Sequence, residues 1–332
     1  MNSKERVIRT LTFDYPDRIP TNTWTMPSAI TKYGKPLTDA IEKYSFDFGG
    51  PHYISHIVDD NRRLEAGIYK DAWGCVWKNL KNGIVGEVKD HPLADYSKLK
   101  TYKSPKDLLT LGMEKVDSSL LENKDKFLFA PWGVDIFERM QFLRGTENLY
   151  MDVMEESNEF MLMRDIVFDF YKEFVKIWCE RDVDGFIFAD DWGSQNALLI
   201  PPRVFRKIFK PMYKELIDYA KQRGKYVFFH SDGNIMEIYD DFIELGVDAI
   251  NSQIWCMDIN EISRKYRGKI TFWGEISRQT TLPFGLPADV REAANTMKKL
   301  LMYNGGGLIG TAGPGDECPL ENIIESLKCW ND

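Results

Sequence analysis

Several things are scarce in this chain of 332 residues. It has no run of about 18 consecutive apolar residues, which excludes a helical membrane span. It has no block of clustered Lys and Arg. With 43 basic against 51 acidic residues the formal charge is −8. Nucleic acid is therefore not an expected partner, because neutralising phosphates needs concentrated positive charge. Cysteine is sparse, at positions 75, 179, 256, 318 and 329, odd in number and without a CxxC pair. That argues against a disulfide framework and fits a reducing, cytoplasmic setting. The first twenty residues are charged and hold no apolar core of the kind a signal peptide needs. No GxGxxG follows the first predicted strand, which weakens a dinucleotide-binding reading.

Repeats, low-complexity tracts and linkers are also missing, so residues 1–332 are expected to form one domain. A structural rhythm takes their place. Short apolar runs end abruptly at polar chemistry, most clearly in Lys225–Gly233 (KYVFFHSDG). Eight segments fit buried strands: Arg18–Trp24, Phe46–Gly50, Phe127–Trp132, Asp184–Asp191, Lys225–Asp232, Val247–Gln253, Ile270–Glu275 and Gly307–Thr311. From residue 184 onward they alternate with helical patterns. One begins at Pro201-Pro202, with a kink expected at Pro211; one is capped by Asp258. Such alternation predicts a parallel sheet with right-handed crossovers, and eight strands predict a (β/α)8 TIM barrel. Residues 69–88 break the rhythm and read as an inserted β-hairpin turning at Lys81-Asn82-Gly83.

In such a barrel the site sits at the C-terminal strand ends. Those ends carry Trp24, Asp47, Trp132, Asp190, Asp191, Trp192, His230, Asp232, Gln253 and Glu275, with Gln279 just beyond. His230, Asp232 and Glu275 are the expected catalytic groups, since a histidine beside carboxylates suits acid–base work. The blander alternatives are a structural histidine, and Asp232 as the N-cap of a helix from Asn234. Of Asp190 and Asp191, one is expected to point into the site and the other aside. Trp24, Asp47, Trp132, Asp190, Asp191, Trp192, Gln253 and Gln279 are the expected substrate-binding set. His230, Asp232, Glu275 and Cys318 are of types that bind zinc, though their spacing is not diagnostic.

The opening PDRIP, the FFHSDGNIMEI segment, ELGVDAIN, WGEISRQTTLPFG with PADVREA, and the final GGGLI and PLENI together resemble the uroporphyrinogen decarboxylase superfamily. That superfamily includes corrinoid-linked methyltransferases. The resemblance implies a (β/α)8 barrel, a small-molecule substrate, a corrinoid carried by a partner protein, and a homodimer. Two departures limit it. The paired arginines that grip a many-carboxylate tetrapyrrole have no counterpart in TNTWTMPSAITKYG, residues 21–34. The zinc-binding His-x-Cys of the methyltransferases reads His230-Ser231-Asp232, and their later cysteine falls near Ala312 rather than Cys318. Methyl transfer is the first expectation. Decarboxylation of a smaller substrate is the alternative and would need at least two of Arg18, Arg139, Arg144 and Arg278 at the site. A barrel that binds without catalysis is the third.

Overall fold

The computed structural model describes residues 1–44, 47–53, 57, 64–131 and 133–331. The strands are β1 (Thr21–Thr23), β2 (Phe48–Gly49), β3 (Gly67–Lys70), β4 (Val76–Asn79), β5 (Glu87–Asp90), β6 (Phe127–Leu128), β7 (Gly185–Ala189), β8 (Tyr226–Ser231), β9 (Ala249–Ser252), β10 (Thr271–Glu275) and β11 (Leu308–Ala312). Six of them form one curled parallel sheet in the order β1-β11-β10-β9-β8-β7. β2 and β6 form a separate parallel pair. Backbone bonds run from that pair to both edges of the six: Asp47 N to Thr21 O at 3.4 Å, and Ala130 N to Gly185 O at 2.9 Å.

Each predicted strand segment overlaps an observed strand; most are shorter than predicted, while β11 is shifted by one residue to Leu308–Ala312. β7, β9, β10 and β11 are buried on both faces because helices cover one side and an aromatic cluster fills the other. Helices such as Asn158–Cys179, Lys210–Lys221 and Pro287–Leu301 pack on the outside. Inside, Phe129, Phe228, Trp273, Ile309 and Ala249 pack together under Val7 and Leu11 of the first helix. Phe228 meets Phe129 and Trp273 edge-on at 4.8 and 5.1 Å.

Two expectations changed in detail. The helix from Pro202 does not simply kink at Pro211: a π-helical turn, Phe205–Phe209, precedes it. Pro211 lacks the N–H that would close a regular α-helical bond, and the wider turn absorbs the loss. The expected hairpin is a three-stranded antiparallel sheet, β3-β4-β5, with Lys81–Gly83 in the β4–β5 connection. Gly83 O accepts from Ser28 N in the helix Pro27–Tyr33, and Lys81 pairs with Asp316 in the loop after β11, so this connection is tied to both.

Asp47 was expected at a site-facing strand end. It lies instead at the start of β2, fully buried, between two arginines. Its carboxylate accepts from Arg6 Nη1 at 2.7 Å, Arg18 Nη1 and Nη2 at 2.7 and 2.8 Å, and Thr21 N at 2.9 Å. A carboxylate so saturated is a structural tie between the first helix, β1 and β2. Asp47→Ala should therefore lower unfolding free energy by about 3–5 kcal/mol, read by urea denaturation, because it strands buried positive charge. A loss under ~1 kcal/mol would show that the tie is dispensable.

Candidate functional site

Side chains alternate along a strand with a period of two. The inward residues Ala189, Phe228, Ala249, Trp273 and Ile309 belong to the inner aromatic cluster. Two residues further on, at the same face, stand Asp191, His230, Asn251, Glu275 and Thr311. The site is this next layer, where the apolar packing gives way to polar groups.

His230 is held from behind. In register it faces Ala189 on β7 and Asn251 on β9. Its Nδ1 and Asn251 Oδ1 are 2.5 Å apart, and Asn251 Nδ2 donates to Trp273 O at 2.5 Å. Because the amide nitrogen is committed to a carbonyl, its oxygen must accept from His230. Nδ1 therefore carries the proton, and in the neutral ring Nε2 bears the lone pair. Nε2 lies 3.5 Å from Asp191 Oδ1 and 3.7 Å from Asp232 Oδ1. Trp24 meets the imidazole edge-on at 5.4 Å and Trp273 at 4.5 Å.

Arg278, in the loop after β10, spans two carboxylates. Its Nε donates to Glu275 Oε1 at 2.6 Å and its Nη2 to Asp232 Oδ1 at 2.5 Å. Asp232 is thus an ion-pair partner rather than a helix cap; Asn234 Oδ1 accepts the nearby Met236 N. Glu275 is only 3 % exposed, and its Oε2 has no hydrogen-bond partner among the described residues. Burial drives the Glu275 carboxyl above its ordinary range, opposed by Arg278. Burial does the same to Asp191, with His230 opposing and Asp232 adding to it. The two glycines Gly193 and Gly233 bring the loops after β7 and β8 into contact. A Cβ on Gly233, at φ +79°, would sit 2.2 Å from the Gly193 carbonyl carbon.

The remaining candidates divide by the same parity. Asp190 and Trp192 are one residue off the inner face. Asp190 is fully buried, accepts from Tyr213 Oη and from Glu138 N at 2.8 Å, and anchors helices. Trp192 stacks on Phe137 at 4.4 Å and is core, not a cavity wall. Gln253 and Gln279 line a cavity with Glu275 and Arg278. Trp132 lies outside the described residues. Cys318 is buried beside Glu317, its Sγ 3.5 Å from Glu317 Oε1. Of the arginines, Arg18 is on Asp47, buried Arg139 sits between Asp71 and Asp135, and Arg144 holds Asp152.

Asn251, Glu138 and Cys256 had no signal of their own in the sequence, and Arg278 was expected only as a substrate anchor. Glu138 lies close enough to Asp191 for charge repulsion to add to burial in raising its carboxyl well above the ordinary range. Cys256 is half-buried and lines the cavity.

The zinc set expected from the sequence does not assemble. Cys318 and Glu275 are not among the grouped donors; Asp191, His230 and Asp232 are the one such group among the described residues. Arg278 already occupies Asp232 Oδ1. A divalent ion there would face a guanidinium on its own ligand, so the residues as built do not fit a resident metal.

Removing that guanidinium should reverse the balance. Arg278→Ala is expected to bind Mn2+ about tenfold or more tightly than the parent by calorimetry; unchanged affinity would contradict the account. A second outcome follows from Glu275. A carboxyl raised in the folded state holds a proton that the unfolded chain has released, so its contribution to stability falls as pH rises above 4.5. Urea denaturation should therefore show Glu275→Gln gaining on the parent as pH increases through that window. A pH-independent difference would contradict the raised value.

Residues 126–322 match the family model for uroporphyrinogen decarboxylase (URO-D). Compared by sequence with curated proteins, the chain has no match. Among solved structures it is similar to a methyltransferase from Methanosarcina mazei, at 16 % identity over 99 % of this chain and 98 % of that one, with TM-score 0.70. A glycosylated endo-beta-1,4-xylanase from Gloeophyllum trabeum aligns at 10 % identity over 97 % and 98 %, with TM-score 0.47. The first likeness speaks to the fold. The family match covers more than half of the chain, from the strand β6 to the helix after β11, and takes in every member of the inner polar layer. The chain belongs to the uroporphyrinogen decarboxylase (URO-D) family.

Proposed function

We propose that this URO-D family enzyme is a methyltransferase, working with a corrinoid protein or passing a methyl group to a small acceptor. The observation that carries the proposal is the state of the positive charge at the site. A decarboxylase for a polycarboxylate needs cationic groups to grip its substrate. Of the four arginines considered, only Arg278 reaches the site, and two carboxylates already hold it. With Asp191 beside them, the site is acidic and would repel a carboxylated substrate. The placing of Asp191 and Asp232 within 3.7 Å of His230 Nε2 also supports catalysis over simple binding. The solved structure with TM-score 0.70 being described as a methyltransferase agrees with this reading.

Methyl transfer to an acceptor X–H needs the acceptor's proton removed and its heteroatom aimed. His230 Nε2 takes that proton, while Asn251 holds the ring from behind and the carboxylates of Asp191 and Asp232 stabilise the imidazolium. The X–CH3 bond then forms as the bond from donor to methyl breaks, its electron pair staying with the donor. A corrinoid on a partner protein would supply a methyl group in transferable form. Glu275 and Arg278 fix Asp232; Trp24 walls the reacting space, and Gln253 and Gln279 border the substrate. No step uses a metal.

The strands serve this as one (β/α)8 barrel in our reading. The bonds from β1 to Asp47 and from β7 to Ala130 support closure of the six-stranded sheet through β2 and β6. The β3–β5 sheet would be an insertion tied to the rim. The homodimer implied by the family resemblance can be tested by light scattering.

Purified protein incubated with methylcobalamin and a panel of thiol, hydroxyl and amine acceptors should yield methylated product. His230→Ala should lower the rate by about a hundredfold, the usual worth of a positioned base. No transfer from methylcobalamin or from any corrinoid protein would remove the proposal.

A further inference from the structure

Beside the inner polar layer lies a cavity of about 80 Å3. Its walls include Gln195, Gln253, Trp255, Cys256, Glu275 and Arg278. By volume it has room for several water-sized groups. It therefore admits a small head group rather than a large ring system.

We infer that this cavity binds the positively charged head of an organic ligand, an ammonium or methylated onium group. The inference deepens the methyl-transfer reading by naming the substrate class, and it rests on that reading for its link to chemistry. Three observations point to a cation. First, Glu275 is buried, lines the cavity, and leaves Oε2 without a partner among the described residues. A buried carboxylate oxygen without a donor is costly, and a ligand cation or its N–H would satisfy it. Second, formal charge at the site does not balance. Asp191, Asp232 and Glu275 stand against Arg278, which is already bonded to two of them. An anion would add to that excess, and a neutral group would leave it. Third, the other walls suit a weakly hydrated cation. Gln195, Gln253 and Gln279 carry amide oxygens, and Trp255 brings an indole ring to the lining. Its Nε1 donates to Glu275 O at 3.0 Å, which fixes the indole beside the acid. Cations over indole rings are a favourable pairing.

The raised Glu275 carboxyl is consistent with a group waiting for a counter-charge. Cys256 adds a half-exposed thiol to the same wall, with Sγ 3.5 Å from Gln253 Oε1 and 3.9 Å from Gln279 Oε1. Its thiol pKa is raised, mainly by burial, so it stays a neutral lining group rather than a thiolate.

The test is calorimetric binding to the full chain after chelator treatment, with no methyl donor present. The probes are methylammonium, trimethylammonium and choline, then 3,3-dimethylbutan-1-ol as the uncharged match of choline, and 3,3-dimethylbutanoate as an anion. At least one cation should bind saturably, and choline about tenfold or more tightly than its uncharged match. Glu275→Gln should erase that preference. Gln279→Lys, at an exposed wall position, should weaken cation binding about fivefold or more. Equal binding of the uncharged probe, preference for the anion, or no saturable cation binding would overturn the inference. So would a cation affinity indifferent to both variants. Because no methyl transfer is measured, charge-selective binding without turnover would retire the proposed reaction and keep the cavity assignment. Turnover without charge selectivity would do the reverse.

Discussion

The guanidinium of Arg278 is the interaction on which the site's organisation depends. It bonds Glu275 at the end of β10 and Asp232 just beyond β8, two strands that are not neighbours in the sheet. Without it, Glu275, Asp232 and Asp191 would crowd around one histidine with no opposing charge. With it, Asp232 is held near His230 Nε2, and Glu275 keeps one oxygen committed to Arg278 while the other has no hydrogen-bond partner among the described residues. The same bond decides what the site is poorly built to do. A guanidinium used internally is not available to grip a carboxylated substrate, and it stands where a metal ion would need its ligand.

Beneath that bond the strand geometry does the placing. The apolar inner layer of Phe228, Ala249 and Trp273 ends after one more pleat, and the next inward position on each strand is polar. The polar layer therefore inherits its spacing from the parallel register of β7 to β10. The Gly193–Gly233 contact and the saturated Asp47 keep the strand ends and the first helix in place, and neither is part of the chemistry.

Much of this was legible in the sequence, and the limits have physical causes. Apolar runs stopping at HSDG, ADDW and GE marked the strand ends because buried parallel strands need continuous apolar residues. His230, Asp232 and Glu275 did come to neighbouring places. Asp190 and Trp192 were misplaced as substrate contacts because adjacent residues on a strand face opposite sides, and the sequence alone leaves the parity of Asp190 and Asp191 open. Asp47 was misjudged because its partners Arg6 and Arg18 are far from it in sequence. Cys318 looked like a ligand only because a loop cysteine is of the right type. Arg278 was considered only as a substrate anchor, since nothing local shows that it folds back onto two acids. Asn251 sat unnoticed inside VDAIN because its role exists only across the sheet from His230.

The most direct test of the central claim is a double-mutant cycle in unfolding free energy with Arg278→Ala, Glu275→Gln and the pair. If Arg278 is consumed in holding buried Glu275, the pair should couple by about 1–3 kcal/mol, with Arg278→Ala far less costly once the acid is gone. Additivity within about 0.5 kcal/mol would mean that the two groups do not depend on each other, and the account of an internally neutralised arginine would be contradicted.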